Sequence, residues 1–402
     1  MPTDVTVDLT DLDTFVRGVP HDQFDHLRAT DPVHFHDEVG GAGFWCITRA
    51  DDLHLVSHEW EVFSSEWGIT LHEAETDEQL AEQRMMMLMM DPPRHTRLRL
   101  LVNKGFTPRM IERLHERVRE ITREIVEAAV GRGEVDFVVD VASELPLQVI
   151  AELMGVPQQD RSQIFEWSNR LIGSDDPEFN VSPDLARQAA VEMFVYANDL
   201  AAHKRANPSD DIISVLLGAE VDGERLSDLE FDLFFQLLAV AGNETTRNLI
   251  SHGALALMEN PDQHRLLLDD PSRLPAAVDE MLRYASPVMY MRRTARTSFE
   301  LRGKQVAEGD KVALWYIAAN HDPEVFPDPH AFDLTRPARD HEAFGGGGPH
   351  FCLGSHLARL EISVMFEELL HRAPRMELTG DVARLRSNFI NGIKHLPVRL
   401  GR

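Results

Sequence analysis

The chain is poor in cysteine: Cys46 and Cys352 are the only two among its 402 residues. Two thiols so far apart are not a disulfide framework. Cys352-x3-His356 alone does not supply the four ligands of a structural zinc site either. Basic residues are also short, with 40 Lys and Arg against 67 Asp and Glu and a net charge of −27. That balance argues against nucleic acid or an anionic membrane as a partner. Long apolar runs are missing. FFQLLAVAG at 234–242 is among the longest and falls far short of the roughly 20 residues of a membrane span. The opening MPTDVTVDLTDLDTF has no basic start followed by an apolar run, so a cytoplasmic protein is expected.

Linkers, low-complexity tracts and internal repeats are lacking too. Residues 1–402 therefore read as one domain, with a β-richer edge at about 15–70 and a helical body at about 90–370. A hydrophobic fraction of 43% and a charged fraction of 27% are ordinary for a compact globular chain. A chain of this length can enclose a sizeable ligand.

What is present reads mostly as helix. Thr107-Pro108 starts a periodic stretch that runs to Gly131, with a cap, an early proline and a closing glycine in their usual places. Further helices are expected at about 142–154, 158–172, 183–206, 261–269 and 275–285. Ser227-x-x-Glu230 is a capping box in front of an apolar stretch with no strong stop before Asn260-Pro261. That predicts a helix of about 32 residues, roughly 48 Å long and buried on nearly every side. Strand-like pieces are short: 43–49, 289–296, FELRG and KVALWY around Gly303 and Gly309-Asp310, and 386–400. A Pro-rich irregular stretch from Asn320 to the glycines at 345 is long enough to suggest a function.

The segment Phe344-GGGGPHFCL-Gly354 is the most informative. Four consecutive glycines permit close backbone approach and conformations closed to other residues. A phosphate loop would need a GK[ST] ending and a preceding strand, and neither is present. GSHLARLEISVMFEELLH from Gly354 to His371 reads as a helix, so Cys352 lies just before a helix start. Free amides and the positive end of the dipole favour an anion there, and thiolate is the metal-ligating form of cysteine. A small buried core cysteine is the alternative reading.

Inside the long helix, Ala241-Gly-Asn-Glu-Thr-Thr246 places a glycine, a carboxylate and two poor helix formers in apolar surroundings. Such a cluster fits a helix that opens to admit ligand or water; a polar face toward a solvent channel is the alternative. Glu280 and Arg283 share a helix face. His95 and Arg99, in DPPRHTRLR, also lie four apart on one face.

Taken together these segments resemble the cytochrome P450 superfamily, from about residue 15 onward. Its heme loop F-G-x-G-x-H-x-C-x-G matches at Gly346, Gly348, His350, Cys352 and Gly354. One departure is that Phe344 lies a residue early, and the usual aromatic slot holds Gly345. The resemblance implies a mainly α fold with small edge sheets and a long central helix crossing the molecule over the heme. It implies heme b with Cys352 as the axial thiolate, a form of ligation that favours O–O cleavage. His95, Arg99, Arg293 and His350 then serve the heme propionates, for which arginine is the best planar partner. Glu244 and Thr245 become the acid–alcohol pair that delivers protons to bound dioxygen. Glu280, Arg283 and Arg336 become a structural triad that ties down the irregular stretch.

The implied reaction is monooxygenation of an apolar C–H bond with O2 and two electrons. No flavin or iron–sulfur segment is legible, so ferredoxin and ferredoxin reductase are the expected partners. Eight basic residues between Arg94 and Arg119, against Glu112 and Glu116, form either a solvated helix face or a dock for an acidic ferredoxin. WSNRLIGSDDPEF at 167–179, AGNETTRN, SPVMYMRRTA and SNFINGIKHLPV resemble the bacterial branch acting on sterol side chains and methyl-branched lipids, at a terminal methyl. Met87, Met90, Ala241, Val288, Met289 and Ile390 are the pocket candidates, methionine being adaptable to irregular apolar ligands; ordinary core packing is the other reading of the run RMMMLMM. Terpenoid hydroxylation, secondary-metabolite tailoring and a non-catalytic heme sensor are the alternatives; a sensor needs no proton relay.

Overall fold

The computed structural model describes residues 5–74, 76–172, 176–178, 182–337 and 341–401. Part of the 167–179 segment and part of the 320–345 stretch lie outside the described residues. The chain divides into two compact units, each assembled from three stretches.

The first unit comprises residues 1–95, 259–352 and 384–392. Its centre is a five-stranded sheet in the order Val33–His36, Phe44–Ile47, Lys311–Trp315, Tyr290–Ala295, Phe63–Ser64. Pairing is antiparallel except between Phe44–Ile47 and Lys311–Trp315, which run parallel. Strand side chains alternate between faces, and here both faces are covered. Phe44, Cys46, Ala313 and Trp315 pack with Phe15, Phe24 and Leu27. Ile47, Val312 and Leu314 pack on the other side with Leu53, Val56 and Phe63. Every residue of Lys311–Trp315 is buried, as a central strand with two covered faces requires. Helices Pro261–Asp269 and Leu274–Ala285 fall within a residue of their sequence-based limits. The small hairpin Phe299–Leu301 with Lys304–Val306 turns at Gly303, whose φ is +76°.

The second unit comprises residues 96–258, 353–383 and 393–402. The Ser227 capping box forms as expected: the Glu230 amide donates to Ser227 Oγ at 3.2 Å, and the Ser227 amide to Glu230 Oε2 at 2.9 Å. The helix it starts spans Asp228–Glu259, 32 residues. Thr107 caps Pro108–Arg132. That helix passes Gly131 and stops at Gly133, whose φ of +79° breaks it; Gly131 has an ordinary φ and only costs helix propensity. The expected 142–154 helix begins as a π-type turn at Val138–Ala142 and continues as Glu144–Leu153. Arg119 forks onto both carboxylate oxygens of Glu367 at 3.1 Å, joining Pro108–Arg132 to Ser355–Arg372. A three-stranded antiparallel sheet has Pro397–Gly401 between Glu134–Asp136 and Arg375–Leu378. The two outer strands are charged and carry little apolar periodicity, so the sequence does not reveal them. No helix among the described residues is long and apolar enough to cross a membrane.

Candidate active site

The glycine loop belongs to the first unit. Cys352 N–H donates to the Phe344 carbonyl at 2.9 Å and closes the loop at its base. Phe344 thus frames the cysteine although it lies one residue early, and its ring meets Phe351 edge-on at 6.4 Å. Gly345, Gly347 and Gly348 have φ of +96°, +83° and +68°, backbone that side chains rarely tolerate. Gly348 is also pressed against its neighbour: a Cβ there would sit 2.2 Å from the Ser57 carbonyl. Gly348 N–H donates to His58 Nε2 at 3.2 Å.

The two cysteines have opposite surroundings. Cys46 is wholly buried in the core beside Trp315, and burial pushes its thiol far up, away from the thiolate form. Cys352 is only half-buried and lies three residues ahead of the helix Ser355–Arg372. Of the two, Cys352 alone is accessible and placed to be a thiolate ligand.

Around the loop the first unit gathers polar side chains. The ring of His350 lies 4.3 Å from that of His95, tilted by 47°, and His350 Nε2 is 3.2 Å from Ser65 Oγ. Asp91, nearly fully buried, accepts from Ser64 Oγ and, at 3.0 Å, from the Ser65 amide. Its carbonyl accepts from His95 N–H at 2.9 Å, opening the helix Arg94–Val102. Arg293 is buried on Tyr290–Ala295 and donates to the Arg292 carbonyl at 2.8 Å. Burial pushes the phenol of Tyr316 up, with Arg293 acting in the opposite sense. Tyr316 Oη would lie 3.8 Å from a Cβ on Gly345. Ser65 and Tyr316 carry no sequence signal, because only the pairing of distant segments brings them to the loop.

The triad comes together. Arg283 Nε and Nη2 each donate to Glu280 at 2.7 Å, and both side chains are fully buried. Arg336 approaches Glu280 at 3.5 Å and donates to the carbonyls of Pro327 and Asp328 at 2.6 and 2.9 Å. Arg283 also donates to the carbonyls of Asn320, Pro329 and Ala331. The irregular stretch is thus held by its backbone carbonyls as well as by the buried side chains of Phe326, Phe332 and Leu334.

In the second unit, Glu244 and Thr245 sit midway along the 32-residue helix. Glu244 is buried, and its Oε1 accepts from Arg247 and, at 2.9 Å, from Asn248. Its Oε2 takes no protein hydrogen bond among the described residues. Thr245 Oγ1 donates to the Ala241 carbonyl at 2.9 Å, which leaves its lone pairs as acceptors. Ala241 is exposed and Thr245 half-exposed, whereas Asn243, Glu244, Thr246 and Asn248 are buried. The helix is therefore open to a ligand at one strip only. Arg99 is half-buried in the same unit. Of the remaining pocket candidates, Met87 and Met90 are buried, and Met289 is taken up in the core with Tyr290 and Trp315. Val288 is half-buried and bridges Ile390.

Four of the eight basic residues form ion pairs. Arg97 meets Glu224 and Glu230, Arg113 meets Asp210, Arg117 meets Glu120 and Glu152, and Arg119 meets Glu367. Apart from Glu120, three residues along the same helix, the partners come from other segments, where sequence spacing suggested neighbours on one helix face. Lys104 and Arg109 remain exposed.

These groups fit a heme. An accessible cysteine precedes a helix, a cluster of histidine and buried arginine suits two carboxylates, and an acid–alcohol pair borders an accessible strip. The cytochrome P450 family model matches residues 272–374. The steroid C26-monooxygenase of Rhodococcus jostii is 42% identical over 400 residues, 97% of this chain and 84% of that protein. The methyl-branched lipid omega-hydroxylase of Mycobacterium tuberculosis is 45% identical over 385 residues, covering 93% and 90%. A Mycobacterium marinum cytochrome P450 solved with pseudoionone superposes with a TM-score of 0.90 at 38% identity, each chain covered in full. The chain therefore belongs to the cytochrome P450 family and is a monooxygenase whose heme iron is held by a cysteine thiolate.

Proposed function

We propose that residues 1–402 act as one heme domain that hydroxylates a sterol or steroid side chain, or a methyl-branched lipid, at a terminal methyl. The reaction is RH + O2 + two electrons + two protons giving ROH + H2O. The opened strip of the long helix carries this reading: an accessible hydroxyl, Thr245, next to a buried carboxylate, Glu244. A gas or redox sensor has no use for such a pair.

Heme bound through Cys352 supplies dioxygen activation, and thiolate donation favours O–O cleavage. The protein's own side chains do the rest. His95, Arg99, Arg293 and His350 hold the propionate edge. Glu244 offers Oε2 for proton transfer while Arg247 and Asn248 fix Oε1. Thr245 presents acceptor lone pairs. Ala241 and Val288 are the accessible apolar candidates, and Met87, Met90 and Ile390 the buried ones. The substrate class rests on the two relatives and on the resemblance carried by the segments around Ala241 and Pro287.

Electrons come from a separate ferredoxin and its reductase, which puts the reaction in the cytoplasm, where reduced nicotinamide is made. Lys104 and Arg109 are the exposed cations that would meet an acidic ferredoxin. Reversing both should slow ferredoxin-driven turnover and leave peroxide-driven turnover unchanged.

The direct test is an optical titration of the ferric protein with cholest-4-en-3-one, a methyl-branched fatty acid, a linear fatty acid, a monoterpene and a macrolide. A saturable high-spin shift with the first or second supports the reading. A shift confined to the monoterpene or macrolide overturns the substrate class and points to terpenoid or secondary-metabolite oxidation.

A further inference from the structure

Away from the heme loop, the first unit brings together three histidines distant in sequence. His21 begins the helix His21–Thr30, and His321 and His330 lie in the irregular stretch. One ring nitrogen from each falls within 4.8 Å of the others. The ring centroids are 4.3, 5.2 and 5.4 Å apart.

Hydrogen bonds assign the free nitrogen of two of the rings. His321 Nδ1 lies 2.9 Å from the Ile317 carbonyl. A carbonyl only accepts, so Nδ1 carries the proton and Nε2 is a lone pair. His321 is 1% exposed, and this Nε2 has no hydrogen-bond partner among the described residues. His330 Nε2 lies 2.7 Å from Asp25 Oδ2; the carboxylate accepts, which leaves Nδ1 as the base. His21 Nδ1 is buried and likewise unpartnered among the described residues. His321 Nε2 and His21 Nδ1 are thus both buried without a partner among the described residues, in a cluster where one nitrogen of each ring lies within 4.8 Å of the others. A buried acceptor left unsatisfied is costly, and a shared cation would satisfy the cluster.

The outer groups match those of metal-binding histidines, which donate their second nitrogen to a carbonyl or carboxylate. The ligands are also preset. Arg283 donates to the carbonyls of Asn320 and Pro329 at 2.8 Å, the residues directly ahead of His321 and His330. Charge does not forbid a cation here. The guanidinium groups of Arg28 and Arg283 are engaged by Asp25 and Glu280, and Asp322 adds a further carboxylate beside Arg28.

We propose that His21, His321 and His330 bind one divalent first-row transition ion, zinc first, with water in the fourth position on the exposed His330 side. Imidazole suits zinc, nickel and copper, and three nitrogen ligands with an open position make a tetrahedral zinc site. The ion would pin the His21–Thr30 helix to the irregular stretch, as a structural clamp separate from the heme.

The test uses the ferric holoprotein, stripped with chelator and desalted, titrated with zinc chloride by calorimetry. One zinc per chain is expected, with a zinc-dependent rise in Tm and no change in the heme spectrum. His330→Gln, at a half-exposed site, and His21→Gln should each abolish binding at zinc concentrations that saturate the wild type. Asp25→Asn should weaken it by roughly ten- to a hundredfold. Crystals soaked in zinc should show an anomalous peak between the three rings. Zinc binding unchanged in both histidine variants, no binding in the wild type, or a peak elsewhere overturns the proposal.

Discussion

Arg247 donates to Oε1 of Glu244 from one turn further along the same helix, and the two side chains are only 12% and 6% exposed. The carboxylate assigned to proton delivery is therefore anchored by a partner that the sequence motif does not advertise. Arg247→Leu should strand a buried charge and cost about 3 kcal/mol in urea melts of the ferric protein. Adding Glu244→Gln to that variant should recover most of the loss, because both partners are then neutral. Equal losses in the single and double variants would dissolve the link.

Turnover reads the same pair differently. Glu244→Gln with Thr245→Ala should lower product formed per NADH, with a rate loss on the order of a hundredfold or more, while substrate still shifts the heme spectrum. Unchanged product yield would remove both residues from proton delivery.

The two cysteines make a controlled comparison. Cys352→Ser should abolish the heme-thiolate spectrum of the carbon monoxide complex. Cys46→Ala should retain that spectrum and lose stability alone, by about 1 kcal/mol for a small buried side chain. The reverse pattern would transfer the ligand to Cys46.

Gly348→Ala tests the loop. Its methyl would meet the Ser57 carbonyl at 2.2 Å on backbone with φ of +68°, and such strain costs of order 1–3 kcal/mol before the clash is counted. Gly354→Ala meets no atom within 4 Å. Heme content per chain should fall in the first variant and hold in the second.

Acid should expose the histidine cluster. Burial, with His330, Arg28 and Arg283 nearby and Asp25 opposing, lowers His21 to about 4 from 6.5. The unfolded chain then binds a proton that the folded chain refuses, so stability is full above about pH 6.5 and falls as pH drops toward 4. The loss attributable to His21 is on the order of 3 kcal/mol. His21→Gln should flatten that part of a pH–stability curve measured with chelator present; an unaltered slope would assign the acid loss elsewhere.

Sequence alone determined what depends on local chemistry and spacing. The capping box at Ser227 and Glu230 set the start of the long helix, and the glycines and His350 around Cys352 marked the ligand loop. Both are read from neighbours a few residues apart, whose geometry the backbone itself dictates. The partners of these residues were decided only by tertiary structure. Arg97, Arg113, Arg117 and Arg119 resemble a free basic face until Glu230, Asp210, Glu152 and Glu367 arrive from other segments. Met289 resembles pocket lining until the residue just ahead of strand Tyr290–Ala295 packs into the core with Trp315. His21, His321 and His330 have no common motif, since their convergence depends on Arg283 holding an irregular stretch by its carbonyls. Backbone hydrogen bonds of that kind are blind to side-chain identity and leave no pattern in the sequence.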